Sequence, residues 1–360
     1  MRKVAKFSLF LLLVLMALLC CQKIMTVPGN DYRNYQWVRG FYKEPKNSLD
    51  MVFIGGSNIY AFLEPPFIFR KYGFTSWSFA TNSQPVEIAE FLLKEARKRQ
   101  PDALYIINMY SLVDKFSEPQ MHYILDHLPL SKNKLSLTHY MLDFSGYKVD
   151  ERAEFYVPIV RYHSRWKSLK KADFTYRLDG FKSGSTYNAF LEKAKDVSNN
   201  FIIDESSSPL PKKIEDSLRS LLDYCDENHV RVMFLISPRA GKQSRTMLQR
   251  ANSAKRIITE RGYTVLDLVN SFNETGIDLK TDFYNEAHTN IHGAIKTEDA
   301  VIRYVKEHYD FEDKRNDVDF SDWNKAAQDY LAFVDKYLTD KEKEFFDITP
   351  SPLHPDNVSD

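Results

Sequence analysis

Residues 51–57 read Met-Val-Phe-Ile-Gly-Gly-Ser, and this stretch decides the fold class. Four consecutive apolar residues that end at a glycine pair are typical of a short buried strand that runs into a tight turn. Ser57 follows that turn directly, so its hydroxyl is expected to stand in the open at the carboxyl end of the strand. A strand buried along its whole length indicates a parallel sheet with helices on both faces.

The rest of the chain supports this interpretation, because further strand-like runs alternate with segments whose apolar residues have helical spacing. Strands are predicted at 75–79, 103–109, 231–237 and 264–268, and helices at 85–99, 214–228, 244–261 and 293–309. Five strands alternating with helices predict one α/β domain built on a parallel sheet, here assigned to residues 49–310. Ligands of such sheets bind beyond the carboxyl ends of the strands.

The first 25 residues have the pattern of a membrane-targeting segment. Arg2, Lys3 and Lys6 precede an apolar run at 7–21, and no small-residue cleavage site follows it, which favours a retained signal anchor. Because the cationic residues come before the apolar run, the positive-inside bias predicts a cytoplasmic N-terminus. The remainder of the chain is then expected outside the cell membrane.

Three other segments depart from the strand–helix alternation. Residues 26–48 are predicted to be a polar linker, and 114–209 an insertion that covers the site. Residues 311–360 are predicted to form a terminal helix at about 320–338 and a frayed tail. Within the insertion, residues 161–166 read Arg-Tyr-His-Ser-Arg-Trp. This motif could contact an anionic or sugar substrate, or it could be structural.

The composition limits the partners. The 360 residues include 49 Lys plus Arg and 49 Asp plus Glu, so the formal net charge is zero and nucleic acid is not a predicted partner. The nine histidines show no paired metal-ligand spacing, and neither a metal nor a cofactor is predicted. Of the three cysteines, Cys20 and Cys21 lie in the apolar segment, where the preceding residues disfavour lipid attachment. Cys225 is expected in the core, so the domain cannot contain an internal disulfide.

A reactive pair is expected at the carboxyl edge of the sheet. A serine hydroxyl becomes a strong nucleophile only when a base takes its proton, and His288, which follows the last predicted strand, is the candidate base for Ser57. Since each residue follows a parallel strand, the two side chains are expected at the same edge. An acid that orients the imidazole is also expected.

The segments around these two residues resemble the first and last sequence blocks of the SGNH (GDSL-like) hydrolases. The resemblance rests on residues 52–58, Val-Phe-Ile-Gly-Gly-Ser-Asn, and 282–290, Asp-Phe-Tyr-Asn-Glu-Ala-His-Thr-Asn, and it covers about residues 50–310. It implies a flavodoxin-like three-layer sandwich with a nucleophilic serine and a late histidine preceded by an aspartate. The last block is also similar to that of envelope-associated members that acylate wall polymers such as teichoic acid.

The chain departs from this family at several positions. Gly56 stands where the family usually has Asp, and Asn285 stands where it usually has the triad aspartate. Asp282 is therefore the predicted acid, which requires its loop to curl back toward His288. Asn285 is the alternative, because its amide oxygen can hold the ring tautomer by accepting a hydrogen bond, although it carries no charge to stabilise the imidazolium. The family's third block is not recognisable, and Asn108, at the end of the third strand, is only a weak candidate for its asparagine.

The resemblance also implies which residues form the oxyanion hole or contact substrate. The second block corresponds to Ala80 and its neighbours, where Asn82 could donate a hydrogen bond to the oxyanion or could cap the following helix. The residues so implied are Gly56, Asn58, Ala80, Asn82 and Asn285.

Two functions are compatible with these residues. The first is a membrane-anchored extracytoplasmic serine esterase or O-acyltransferase that acts on acyl esters of envelope glycans or wall polymers. The second is a catalytically degenerate domain that binds envelope polysaccharide or scaffolds a membrane-bound acyltransferase.

Overall fold

The computed structural model describes residues 2–26, 32–174, 191, 194–241 and 245–346. Its centre is a five-stranded parallel sheet with the strands β1 (Met51–Ile54), β2 (Ser76–Ser78), β3 (Leu104–Asn108), β4 (Val232–Ile236) and β5 (Val265–Asp267). Each strand lies within the range that the sequence predicts for it. The predicted α/β class and the five-stranded parallel sheet are confirmed.

Helices and one short ribbon surround the sheet. The helices are α1 (Arg2–Met25), α2 (Tyr32–Phe41), α3 (Pro65–Tyr72), α4 (Ala89–Arg97), α5 (Glu118–Leu125), α6 (Lys132–Phe144), α7 (Ala153–Tyr156), α8 (Ile159–Tyr162), α9 (Lys171–Phe174), α10 (Lys212–Glu227), α11 (Arg245–Glu260), α12 (Phe272–Thr275), α13 (Ile291–His308), α14 (Ser321–Val334) and α15 (Asp340–Phe345). The ribbon pairs β6 (Phe283–Asn285) with β7 (His288–Thr289) in antiparallel orientation.

The strand order is β2-β1-β3-β4-β5, which is the flavodoxin-like order. The chain leaves β1 for β2 on one side and returns to β3 on the other, so the sheet has its switch point at the carboxyl ends of β1 and β3. A Cβ atom at Gly55, just after β1, would lie 2.9 Å from the Cβ atom of Asn108. Glycine is needed there because the two strand ends approach so closely.

Both faces of the sheet are covered, as the uninterrupted apolar strand predicts. Val52 and Ile54 point to the face covered by α4, α10 and α11, and Met51 and Phe53 point to the face covered by α13. These four side chains are at most 1% exposed. Cys225 is fully buried on α10, as expected, and its burial raises the pKa of the thiol to about 12.

Residues 27–31 of the predicted linker at 26–48 lie outside the described part, and residues 32–48 do not form a linker. They contain α2, whose Trp37, Val38 and Phe41 side chains are buried in the core, and the Trp37 carbonyl accepts a hydrogen bond of 2.8 Å from the Trp77 indole. The apolar residues of α2 lie on one face of the helix and pack onto the domain. Because polar residues separate them in the sequence, the segment has the composition of a linker.

The insertion at 114–209 folds largely as helices, α5 to α9, and residues 175–190 and 192–193 of it lie outside the described part. Its last part flanks the β6–β7 ribbon, because Lys195 N–H donates to the Phe283 carbonyl at 2.7 Å. α5 and α6 pack instead against α2 and α4, so they extend the core on one face of the sheet.

The segment after residue 310 is more ordered than predicted. The predicted terminal helix is α14, which packs against α3, and the chain then continues into α15. Phe346 is 2% exposed and stacks on Phe67 of α3 at 4.4 Å between ring centroids. The predicted fraying is therefore wrong up to residue 346, and residues 347–360 lie outside the described part.

The N-terminal helix α1 is long and apolar enough to cross a membrane. Its apolar window, Lys3–Gln22, has a mean hydropathy of 2.6 and is not buried against the described part of the protein. At about 1.5 Å per residue, the 24 residues of α1 reach beyond the roughly 30 Å of a hydrocarbon core.

Candidate active site

Ser57 and His288 meet at the carboxyl edge of the sheet. The Ser57 hydroxyl lies 2.8 Å from Nε2 of the His288 ring, although the two residues are 231 positions apart in the chain. Ser57 follows β1 through the Gly55-Gly56 turn, and His288 opens β7. The neighbouring Thr289 hydroxyl donates to the Ala61 carbonyl at 3.2 Å, which fixes β7 against the loop that carries Ser57.

Asn285 orients the His288 ring. Its Oδ1 atom lies 3.0 Å from Nδ1 of the ring and also accepts the backbone N–H groups of Ala287 at 2.9 Å and His288 at 3.1 Å. Because two backbone donors point at this atom, it must be the amide oxygen, and Nδ1 must carry the proton. Nε2 is then the unprotonated nitrogen, which can accept the proton of Ser57.

The ribbon explains how Asn285 reaches the ring. β6 ends at Asn285 and β7 begins at His288, with the two residues paired across a turn of only two residues. The side chain of Asn285 closes this turn by accepting the N–H two positions on, which is the usual local bond of an Asx turn. Position 285, rather than an acid farther back in the loop, therefore contacts His288.

Asp282 is not the partner of His288. Its carboxylate is 1% exposed and accepts hydrogen bonds from the Asp278 N–H at 2.8 Å and the Thr281 hydroxyl at 2.9 Å, and it forms an ion pair of 2.7 Å with Lys296. These contacts hold Asp282 against α13. In this described segment the loop therefore does not curl back toward His288, as the sequence prediction required. Its role is to anchor the loop before β6.

The electrostatics of the pair are unusual. Burial of the ring, followed by the positive charge of Arg239, lowers the pKa of His288 to about 4 from the ordinary value of 6.5. The imidazole is therefore mostly neutral near pH 7. It is available as a base, but the protonated form receives little help from its surroundings, since the amide of Asn285 carries no charge.

The structure places the other predicted residues around this pair. Gly56 lies against the backbone of Gln84, where an added Cβ would be 3.4 Å from the Gln84 N and O atoms. The Ala80 methyl is fully buried in the same apolar cluster as Phe53, so only its backbone could serve a substrate. The Ser57 N–H makes no hydrogen bond within the described residues, which leaves it available for an oxyanion.

The side-chain amides of Asn58 and Asn108 both contact Ser237. Both donate to the hydroxyl of Ser237, the residue after β4, and the Asn108 oxygen accepts the N–H groups of Ser237 and Tyr110 at 3.3 Å each. This buried network ties together the carboxyl ends of β1, β3 and β4. One of the two N–H groups of the Asn58 amide is used in this network, and the expectation that Asn58 acts as an oxyanion or substrate-binding donor stays a prediction.

Asn82 does not cap a helix. The following helical segment begins after Pro85 without a side-chain cap, while the oxygen of Asn82 accepts from the Tyr60 hydroxyl and its backbone N–H donates to Asn34 at 2.8 Å. Within the described part of the chain its Nδ2 makes no hydrogen bond. Its role as an oxyanion donor stays a prediction.

Sequence reasoning missed two polar residues of this edge, Arg239 and Gln84. Arg239 comes three residues after β4, at the carboxyl edge where ligands bind, and that position alone was a usable signal. Gln84 gave no signal, because its contact with Gly56 depends on the turn after β2. Its Nε2 is buried and unpartnered within the described residues.

Other side chains that could bind ligands are engaged in structural contacts. Glu118, His122 and Glu154 place possible metal ligands within 4.8 Å of one another, but the guanidinium of Arg161 pairs with Glu118 and lies 3.6 Å from Glu154. Two of the three possible ligands are therefore already paired with a positive charge.

The contacts of the 161–166 motif favour a structural role over contact with a substrate. Arg161 binds Glu118, and Arg165 binds the Met25 carbonyl and lies 2.6 Å from Asp173. His163 Nδ1 is 2.6 Å from the Val160 carbonyl. These contacts hold the motif near the end of α1.

No family model matches the chain, and a search of the curated proteins found no significant match.

The orientation of His288 can be tested by nuclear magnetic resonance. In protein labelled at the histidine rings, the His288 signal, assigned by its loss in His288→Ala, should titrate near pH 4. Asn285→Asp keeps the acceptor for the backbone N–H groups and adds a negative charge at Nδ1, so it should raise the pKa of His288. A His288 ring that titrates near 6.5 in the wild type, or does not respond to Asn285→Asp, would contradict the described geometry.

Proposed function

We propose that the protein is a serine-dependent esterase or O-acyltransferase of the SGNH-like type, with Ser57 as nucleophile and His288 as base. The observation that carries the proposal is the hydrogen bond of 2.8 Å from Ser57 to a ring whose other nitrogen is held by Asn285. A hydroxyl at the carboxyl edge of a flavodoxin-like sheet, paired with a neutral imidazole, is the arrangement that acyl transfer needs.

The proposed reaction has two steps. The Ser57 oxygen attacks the carbonyl carbon of an ester while its proton moves to Nε2 of His288, and the ester C–O bond breaks as the ring returns that proton to the leaving alcohol. The Ser57 N–H stabilises the oxyanion, with Asn82 and Gln84 as candidate further donors. An acceptor hydroxyl then takes the acyl group from Ser57 by the reverse sequence.

Asn285 allows this chemistry but weakens it. An asparagine that turned its NH2 group to the ring would select the wrong tautomer, whereas here the oxygen faces Nδ1. The missing charge lowers the stability of the imidazolium in the transition state.

The acceptor decides the class of enzyme. Water as acceptor makes the protein an esterase, and a hydroxyl of an envelope glycan or wall polymer makes it an O-acyltransferase.

The same asparagine favours a second candidate function. In this second function, a domain with an amide in place of the triad acid has lost ester turnover but keeps the site around Ser57. It then binds envelope polysaccharide or scaffolds a membrane-bound acyltransferase. Removal of the Ser57 hydroxyl separates the two functions, because a binding domain tolerates this change and an acyl-enzyme mechanism does not.

The surroundings of α1 support a domain held at a membrane surface. Arg165 hydrogen-bonds the carbonyls of Ile24 and Met25 at the end of α1, and α8 and α9 pack beside this helix. Exposed apolar side chains cluster in the same segment, at Tyr156, Val157, Val160, Trp166 and Phe174. Exposed aromatic residues beside a spanning helix are typical of the membrane–water interface.

Hydrolysis of 4-nitrophenyl acetate tests the reaction. Ser57→Ala and His288→Ala should each lower kcat/KM by at least about 10³, because the two residues act as a unit. Folded Asp282→Asn should retain most of the activity. Asn285→Ala should lose more activity than Asp282→Asn does. Ser168→Ala, at an exposed serine, is the matched control. Wild-type turnover that survives Ser57→Ala would contradict the proposal.

The predicted topology can be tested by cysteine labelling in bacterial spheroplasts, with Cys20 and Cys21 replaced by alanine. Val318→Cys, at a side chain that is 80% exposed, should react with a membrane-impermeant maleimide in intact spheroplasts. Lys3→Cys should react only after permeabilisation, since the positive-inside bias places it in the cytoplasm. The opposite labelling pattern would overturn the assignment.

A further inference from the structure

Arg239 lies beside the reactive pair. It is the third residue after β4, and the N–H of its neighbour Ala240 donates to the carbonyl of Glu286 at 2.9 Å, in the turn that carries His288. Its charge acts on the His288 ring strongly enough to help lower the pKa of that ring. Arg239 therefore belongs to the same edge of the sheet as Ser57.

Among the described residues, an aromatic ring and no carboxylate holds the guanidinium of Arg239. It lies over the ring of Tyr110, 4.7 Å from the ring centroid, and Tyr110 is 1% exposed. Within the described residues no carboxylate pairs with Arg239, and its Nε is buried without a hydrogen-bond partner. Glu286, the acid of the adjacent turn, is instead bound by Asn200 at 2.9 Å and lies 3.7 Å from Lys195.

The side chain of Arg239 is half-buried, and a partly buried guanidinium that has no anionic partner among the described residues is stabilised when a ligand supplies the anion. We propose that Arg239, supported by Tyr110, forms a subsite for an anionic group, a phosphate or a carboxylate, on the substrate of Ser57. The planar fork of arginine donors matches both oxyanions, and stacking on an aromatic ring fixes the plane of the fork. The subsite rests on the proposed function, because it assigns that substrate a negative charge.

The subsite also compensates for Asn285. In the free protein, His288 faces the positive charge of Arg239 and the uncharged amide of Asn285, while Asp282 is neutralised by Lys296 and Glu286 is engaged by Lys195 and Asn200. An anion bound to Arg239 cancels that positive charge. The imidazolium then becomes easier to form, so the substrate itself supplies the electrostatic help that a triad carboxylate would give.

The test is the titration of the labelled His288 ring with and without inorganic phosphate or trifluoroacetate, both of which carry a negative charge in the pH range where His288 titrates, at constant ionic strength. Phosphate or trifluoroacetate should raise the pKa of His288 in the wild type, and the more effective of the two anions identifies the preferred group. Arg239→Gln should raise the pKa without any anion and should abolish the response. Arg239→Lys keeps the charge and should respond with at least about tenfold weaker anion binding, because the fork is lost.

Arg231→Gln is the matched control, since Arg231 stacks on Phe311 at the opposite end of β4 and should leave the anion response unchanged. An anion response of wild-type size in Arg239→Gln, or no response in the wild type, would overturn the subsite. The readout needs no turnover. A preserved anion response in a protein that neither hydrolyses esters nor becomes acylated on Ser57 would contradict the proposed function and leave the subsite standing. Turnover without any anion response would do the reverse.

Discussion

The site depends on one atom, the amide oxygen of Asn285. Three N–H groups converge on it, two from the backbone of the turn and one from the His288 ring. The backbone donors fix which end of the amide faces the ring, the ring therefore keeps its proton on Nδ1, and Nε2 is left to accept from Ser57. One local turn thus sets the conformation of the ribbon, the tautomer of the histidine and the polarity of the reactive pair.

The sheet supplies the other half of the site. Parallel strands bring their carboxyl ends to one edge, and the buried network of Asn58, Asn108 and Ser237 ties three of those ends together. The network holds the loop after β1 against the end of β4, which also carries Arg239. Asn58, which the sequence assigns to substrate, is partly used in this support, and Arg239, whose charge acts on His288, lies outside the recognised motifs.

Much of the fold could be predicted from sequence because its strands are buried on both faces and read as uninterrupted apolar runs. The segments that escaped prediction pack through only a few apolar residues among polar ones, as Trp37, Val38 and Phe41 do in α2. In the site, Ser57 and His288 follow strands and could be placed by topology. The sequence offered both Asp282 and Asn285 as the residue that orients the ring, and the choice depends on a two-residue turn that spacing does not reveal. That no described carboxylate pairs with Arg239 depends on where distant acids lie, which spacing does not reveal either.

The central claim is that the environment of Ser57 activates its hydroxyl. In the most direct measurement, the full-length protein in detergent is treated with a fluorophosphonate. The mass of the intact protein is then determined and the modified peptide is mapped. The account predicts a single phosphonyl adduct on Ser57 in the wild type and none in folded Ser57→Ala or His288→Ala. A folded wild type that gains no adduct, or gains it on another serine, would contradict the claim and favour the non-catalytic domain.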